Sequence, residues 1–272
     1  MNSSASKIQV SGFRDLFQLD SGVKSDAEQV REIPLAELYP FKGHPFQVRD
    51  DDAMRKTVES IAERGVLSPG IARPRPEGGY ELISGHRRKR GSELAGRTTM
   101  PVLVRDLDDD EAIIIMVDSN LQREKILPSE KAFAYKMKLE AIKHQSKRTD
   151  LTLVRGVPKL PAREQIAQDA GEKSGVTVTR YIALTKLIPP LLAMVDEAKL
   201  AVSTAADYIS PLTEQEQADL ITVMGRLDII PAKGQLAKIK KHSAEGTLTI
   251  TVIETLLSVE RPSPVQVTLK QT

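Results

Sequence analysis

The chain has 272 residues and balances 39 Lys and Arg against 37 Asp and Glu, for a net charge of +2. That length suits one large domain or two small ones, and near neutrality means that any surface for nucleic acid must come from segregated charge. Cysteine is absent, which excludes a disulfide framework and cysteine-ligated zinc. The four histidines form no HxxxH pair, and aromatics at 4% argue against base stacking as the main route to nucleic acid.

The opening MNSSASKIQV lacks the apolar core of a signal peptide. The longest apolar run, Ala112 to Val117, is too short to span a bilayer. A cytoplasmic protein with no membrane contact is expected. Residues 1–30 carry Ser, Gly and Asp with one apolar patch, Phe13, Leu16 and Phe17, and read as a flexible arm. Order is expected from Ile33-Pro34-Leu35, followed by the turn-rich YPFKGHPFQVR. A helix is expected from Asp52 to Gly65, with Val58, Ile61 and Ala62 on one face. Val66 to Pro74 reads as extended, Glu77-Gly78-Gly79 as a hairpin turn and Tyr80 to Ile83 as a strand. A helix from His86 to Ala95 closes at Gly96, and Val102 to Val104 is a further strand.

Beyond Asp110 the pattern turns helical. One helix spans Glu111 to Leu121. A second opens at Pro128 and runs to about His144, with Ala132, Tyr135, Leu139 and Ile142 on one stripe. A polar linker from Lys147 to Pro161 precedes more helices, to about Val259. The last residues alternate Val265, Val267 and Leu269, as a lone strand or a disordered end. The run DLDDDE at 106–111 reads as a solvated loop that charges a helix start favourably.

The stretch ELISGHRRKR at 81–90 passes from a strand ending at Ser84, through Gly85, into a helix starting at His86. Unpaired N–H groups and the positive end of the helix dipole converge there, which suits phosphate. Glycine allows close approach, and arginine forks onto phosphate oxygens. A solvated basic helix face explains the run equally well. In Asp118-Ser119-Asn120-Leu121-Gln122-Arg123-Glu124, Asn120, Arg123 and Glu124 share a helix face. An amide oxygen can face a hard cation and an arginine a phosphate; a polar helix end is the plainer alternative. His44-Pro45-Phe46-Gln47-Val48-Arg49 places an amide and a guanidinium on a proline-stiffened loop.

Taken in order, PxQxR, GVLSP, SGHRR, NLQRE and PSEKA resemble the ParB/RepB partition protein family from about Ile33 to Leu220. The resemblance implies CTP with Mg2+ bound in the N-terminal domain, a centromere-like inverted repeat in double-stranded DNA read by a helix-turn-helix, and a homodimer that nucleotide closes into a sliding clamp. It places Gln47 and Arg49 in the first nucleotide box and Ser60 beside the nucleotide. Ser84, Gly85, His86, Arg87 and Arg88 fall in the triphosphate cradle. Asn120 and Arg123 fall in the third box, with Asn120 near the metal. Ser119 stands where the family often has a metal-holding glutamate, so slow CTPase activity at most is expected. His86 also replaces a common glutamate, and a backbone contribution is expected from it.

Arg163 to Gly171 reads as the first helix of the helix-turn-helix, with Ala167 for close crossing and Gly171 for the turn. Thr177 to Leu187 would be the recognition helix. Val178 and Ile182 face inward, and Thr177, Thr179, Arg180 and Tyr181 face DNA. Base readout is expected from Thr179 and Arg180, and phosphate contact from Lys173 and Lys186. Gly175 stands where some relatives carry a base-reading arginine. The segment Leu200 to Ala206 is expected to add a helix packed on this motif. Lys238, Lys240 and Lys241 read more simply as a solvated face, and the Phe13 patch as a docking helix for a ParA-type ATPase or a plain arm.

The expected fold is therefore α+β: a mixed, sulfiredoxin-like nucleotide domain at 31–110, connecting helices at 111–150, a linker at 151–161, an all-α helix-turn-helix domain at 162–259 and a tail at 260–272. The alternatives are a transcription regulator or nucleoid-occlusion factor of the same fold, or a nuclease or phosphotransferase. Sulfiredoxin chemistry is excluded by the missing cysteine, and no clustered carboxylates suggest a nuclease.

Overall fold

The computed structural model describes residues 30–149, except 122 and 124, and residues 160–258. The N-terminal arm with its Phe13 patch, most of the linker and the alternating C-terminal tail lie outside the described residues.

Five strands, β1 Val30–Pro34, β2 Leu38–Pro40, β3 Gly70–Pro74, β4 Tyr80–Ser84 and β5 Thr99–Val104, form one mixed sheet in the order β1-β5-β3-β4-β2. The pairs β1–β5 and β3–β4 are antiparallel, and β3–β5 and β2–β4 are parallel. Alternation along β4 divides the core. Leu82 joins Ile33, Ala72, Met100 and Val102, while Ile83 joins Phe41, Phe46, Met116 and Val117. Prolines end β1, β2 and β3, where a missing N–H does no harm. The turn at Gly78 and Gly79, both at positive φ, is as expected.

Two readings change here. The turn-rich stretch after Pro34 contains β2, which pairs in parallel with β4. Conversely, pairing in the Val66–Pro74 stretch begins only at Gly70. A Cβ on Gly70 would lie 3.1 Å from both Met100 Cε and the Ser84 carbonyl, so this is where the chain enters the crowded sheet.

Helix α1 spans Asp52–Arg64, held at its start by Asp51, which accepts from the Met54 amide, and ended by Gly65 at φ 72°. Its buried residues are Met54 and Ile61, whereas Ala62 is exposed, contrary to the expected face. Helix α2 spans His86–Leu94. A Cβ on Gly91 would meet Ile61 at 2.9 Å, so α2 lies directly on α1. Helix α3, Asp109–Leu121, starts earlier than the sequence suggested. Asp108 accepts from the Glu111 amide and Glu111 accepts from the Asp108 amide, a reciprocal cap, and Asp110 is buried rather than solvated. Helix α4, Pro128–Thr149, runs through the first residues of the expected linker.

The remainder is helical: α5 Ala162–Asp169, α6 Gly175–Ala183 with a 3-10 turn at Leu184–Lys186, α7 Pro189–Asp196, α8 Val202–Thr204 continuing into a π-helical turn at Ala205–Ile209, α9 Glu214–Leu227, α10 Lys233–Ala244 and α11 Ile250–Ser258. The chain is thus a mixed α/β unit followed by helices, as the sequence predicted.

Helix α4 joins the halves. Ala134 packs toward α3 and the sheet, Tyr135, Leu139 and Ile142 toward α5 and α6, and Ala132 toward the helical core beyond. The stripe read from the sequence is buried, but it is one of several faces. Between them sits Lys138, only 1% exposed, whose ammonium pairs with Asp118 of α3 and, at 2.7 Å, with Asp169 of α5. Lys138→Ala should lower the free energy of unfolding by about 3 kcal/mol, the low end for breaking a buried pair because both carboxylates are partly exposed. A urea midpoint equal to wild type would show that this bridge does not hold the helices together.

Candidate functional site

The strand β4 turns into α2 through Gly85 at φ 108°, ψ 17°. A Cβ there would approach Gly70 Cα to 3.2 Å, so left-handed backbone and close approach both call for glycine. The first amides of α2 lack intrahelical acceptors and share the positive end of the helix dipole. Ser84 is buried beneath this turn.

The four cations that follow are divided among different tasks. Arg88 is turned inward, and its Nη1 donates to the carbonyls of Ser68 and Pro69, both at 2.6 Å. Burial holds its pKa below the ordinary guanidinium value. In this structure it pins the 68–69 loop to α2. Arg90 makes a bidentate pair with Asp50, and Lys89 pairs with Glu93. Arg87 alone keeps a loose contact, 3.5 Å to Asp51, at the mouth between α1 and α2. The basic run is therefore largely a brace, with Arg87 the guanidinium best able to leave its partner for an incoming anion.

His86, the first residue of α2, stacks obliquely on His44 with ring centroids 3.9 Å apart. His44 Nδ1 donates to the Phe46 carbonyl at 2.8 Å, which assigns the proton to that nitrogen. The Nε2 atoms of both rings are buried and find no hydrogen-bond partner among the described residues. Burial pushes His86 down to about 3, helped by His44 and Lys89. Burial also lowers His44; the Phe46 hydrogen bond opposes this, Arg123 adds to the lowering and Glu130 counters it. These couplings bring the 44–49 loop, the start of α2 and Arg123 into one neighbourhood. His86 contributes a buried neutral ring there, more than the backbone role expected.

Gln47 is held by its own amide, which donates to Glu130 Oε1 at 2.8 Å, while its side-chain oxygen accepts from Arg49 at 3.2 and 3.3 Å. Glu130 also accepts from the Leu127 amide, so one buried carboxylate ties the 44–49 loop to the start of α4. Nothing in PSEKA alone gives Glu130 a role; the available signal is a glutamate three residues after Leu127 at a helix start. Asn120 Nδ2 donates to the Met116 carbonyl at 2.8 Å, leaving Oδ1 as the oxygen that could face a cation. Ser119 donates its hydroxyl to the same carbonyl at 3.0 Å. Ser60 is half-buried on α1. Gln122 and Glu124 lie outside the described residues.

A Mg2+ ion needs few protein ligands when phosphates and waters supply the rest. Among the described residues no group of three or more His, Cys, Asp or Glu could hold a metal. The Asn120 carboxamide fits that modest demand.

In the second half, Gly171 takes φ 65° and Ala167 is buried, as expected of the helix-turn-helix. Helix α6 begins at Gly175, two residues before the expected start, and regular α-helix ends at Ala183. A Cβ on Gly175 would lie 2.8 Å from Glu164 Oε1 and 3.2 Å from the Arg163 backbone, so this glycine permits the α5–α6 approach. Val178 is buried. Lys173, Thr179 and Lys186 are exposed, Thr177 is half-buried, and Thr179 donates its hydroxyl to the Gly175 carbonyl. Arg180 is bound bidentately to Asp207 at 3.1 and 3.0 Å.

Tyr181 corrects the expected outward face. Its ring packs edge-on against Tyr135 at 5.6 Å, with Lys131 Nζ 5.2 Å from its centroid. Glu172 accepts from Lys131 and from the Tyr135 hydroxyl at 2.7 and 2.9 Å, and burial with this bond raises the Tyr135 pKa. The sequence reading missed Val176, 60% exposed at the start of α6.

A family model for the ParB N-terminal domain matches residues 20–121. The chromosome-partitioning protein Spo0J of Thermus thermophilus is 32% identical over 82% of this chain and 76% of its own. The chain belongs to this ParB/Spo0J family. A probable chromosome 1-partitioning protein ParB of Deinococcus radiodurans is 35% identical over 70% of this chain, and a nucleoid occlusion protein of Geobacillus thermodenitrificans is 33% identical over 64%. The chain spans 58% and 56% of those two relatives. The ParB of Caulobacter crescentus complexed with CTP-gamma-S aligns over 68% of this chain and 94% of its own at 28% identity, with a TM-score of 0.33.

The buried histidines give this site a pH signature. Both are lowered in the fold, so the native state binds fewer protons than the unfolded chain once pH falls below about 6.5. Stability should be level above pH 7 and decline from about 6.5 downward, toward the folded value of about 3 for His86. Urea midpoints between pH 7.5 and 5 should fall for wild type and flatten in His86→Gln; equal slopes in both proteins would contradict the assignment.

Proposed function

We propose that the chain is a nucleotide-regulated, sequence-specific DNA-binding protein of DNA partition, which takes CTP with Mg2+ and closes as a homodimer on an inverted-repeat site. The observation that carries this reading is the convergence of three distant segments on the Gly85 turn: the His44–Arg49 loop, the start of α2, and the end of α3 with Arg123. A helix start, a glycine and a weakly engaged arginine receive a triphosphate through backbone amides and charge-assisted bonds. Membership of the ParB/Spo0J family supports cytidine as the base.

Arg87 would leave Asp51 for phosphate, Arg123 would add a second charge, and Gln47 with Arg49 would close one side. Asn120 Oδ1 would hold the magnesium ion, which supplies charge neutralisation on the triphosphate. The Ser119 hydroxyl, donated to its own helix, is a poorer aid to that ion than a carboxylate. Binding then outweighs turnover, and the nucleotide acts by favouring one conformation over another.

The path from site to DNA is short. Asn120 lies two residues from Asp118, whose partner Lys138 also holds Asp169 of the first helix-turn-helix element. On α6, Thr179 and Val176 would reach base edges, an exposed valine being suited to a thymine methyl group, while Lys173 and Lys186 would meet phosphates. Arg180 would have to release Asp207 to read a base. The N-terminal arm would engage a ParA-type ATPase.

Titration with CTP, ATP, GTP and UTP, with and without DNA, tests the reading directly. CTP should bind preferentially, and Arg87→Ala should weaken it by at least about tenfold, the loss of one charge-assisted bond to phosphate, while initial DNA recognition is kept. Unchanged CTP binding in Arg87→Ala would remove the cradle. Ser119→Glu should raise CTP turnover, measured as phosphate release; an unaltered rate would show that the missing carboxylate is not what limits hydrolysis.

A further inference from the structure

The exposed face where α6, the 205–209 turn and α10 meet carries charge that the reading above leaves unused. Asp207 is its centre. Its carboxylate takes the Arg180 guanidinium from α6, and its backbone carbonyl accepts from Lys240 Nζ of α10 at 2.9 Å. On the next residue, the Tyr208 ring has Lys233 Nζ at 5.7 Å and Lys240 Nζ at 5.8 Å from its centroid. Both lysines are exposed. Among the described residues neither is paired with a carboxylate, whereas Arg180 is neutralised by Asp207 and Lys241 approaches Glu245.

Two like charges brought to one ring repel each other, and a carbonyl and a π-face neutralise neither. Exposed cation–π contacts are individually weak and the two ammonium groups oppose one another, so fold stability is a weak reason for the arrangement. A ligand bearing regularly spaced negative charge does account for it. The surface is open, with no enclosing wall for a small anion. It is joined to the recognition helix through Asp207, which fixes Arg180 and Lys240 relative to each other. We propose that Lys233 and Lys240, flanking Tyr208, form a second grip on the phosphate backbone of the duplex that α6 reads, beside the phosphate contacts of Lys173 and Lys186. Such a grip adds affinity and register and carries no base information.

The inference rests on the DNA-binding reading, and one experiment separates the two. Binding of wild type and of the Lys233→Gln/Lys240→Gln variant is measured on two unrelated duplexes of about two helical turns, over a salt series from about 50 to 200 mM. Loss of two phosphate contacts should weaken binding by tenfold or more at the low-salt end and reduce the slope of log K against log salt by about 1.8. The loss should be the same on both sequences. Lys238→Gln/Lys241→Gln removes equal charge from the same helix and should leave the slope nearly unchanged. If wild type binds neither duplex, the DNA-binding reading falls. If wild type binds and the Lys233/Lys240 variant keeps its slope, the grip falls and this face is left to an acidic protein partner. An equal loss in both double variants also overturns it, since bulk charge would then be the cause.

Discussion

The buried ammonium of Lys138 is the constraint on which this molecule turns. A lysine without water must meet negative charge, and here that charge comes from two different helices, Asp118 on α3 and Asp169 on α5. Asp118 is held above the usual carboxylate range by burial, with Lys138 pulling the other way. The bridge thus joins an element of the proposed nucleotide site to an element of the helix-turn-helix through the interior of α4. Close apolar packing already limits how these helices sit, and three hydrogen-bonded charges add a directional demand to it.

Around that bridge, α4 acts as a shared wall. Its start holds the 44–49 loop through Glu130, and its next turns hold Glu172 in the helix-turn-helix connection through Lys131 and Tyr135. The Gly85 turn and α6 are thus both tied to α4: His44 of the loop stacks on His86, and Glu172, three residues before α6, is held by Lys131 and Tyr135. The exposed cationic face around Asp207 and Tyr208 extends the same logic, because one residue there joins α6 to α10.

The SGHRRKR run shows how a motif and its chemistry can separate. Read as sequence, it is four cations after a glycine, equally suited to phosphate or to solvent. In the fold, Arg88 satisfies two loop carbonyls, Arg90 and Lys89 meet carboxylates, and Arg87 stays loosely held. Most of the positive charge braces the Gly85 turn, and a smaller share stays loosely held. The Ser68 and Pro69 carbonyls, Glu93, Asp50 and Asp51 together make that division.

Local signals were legible in the sequence because they act over a few residues. Glycines at 78–79, 85, 96 and 171 marked turns that positive φ favours, and the helical stripes of α1 and α4 were readable, Ala62 on α1 excepted. The order of the boxes carried the family. The sequence could not show which partner each polar side chain would find. Tyr181 faces inward because Tyr135 lies 46 residues away in the chain and beside it in space, and Lys138 looked like one more surface lysine until α3 and α5 closed over it. The close α5–α6 approach at Gly175, the pairing of β2, and the stacked rings of His44 and His86 likewise depend on neighbours remote in sequence, whereas the start of α3 is set by the local Asp108–Glu111 cap. Backbone conformation is decided largely by a residue and its near neighbours; burial, ionisation and side-chain direction are decided by whatever the fold brings up against them.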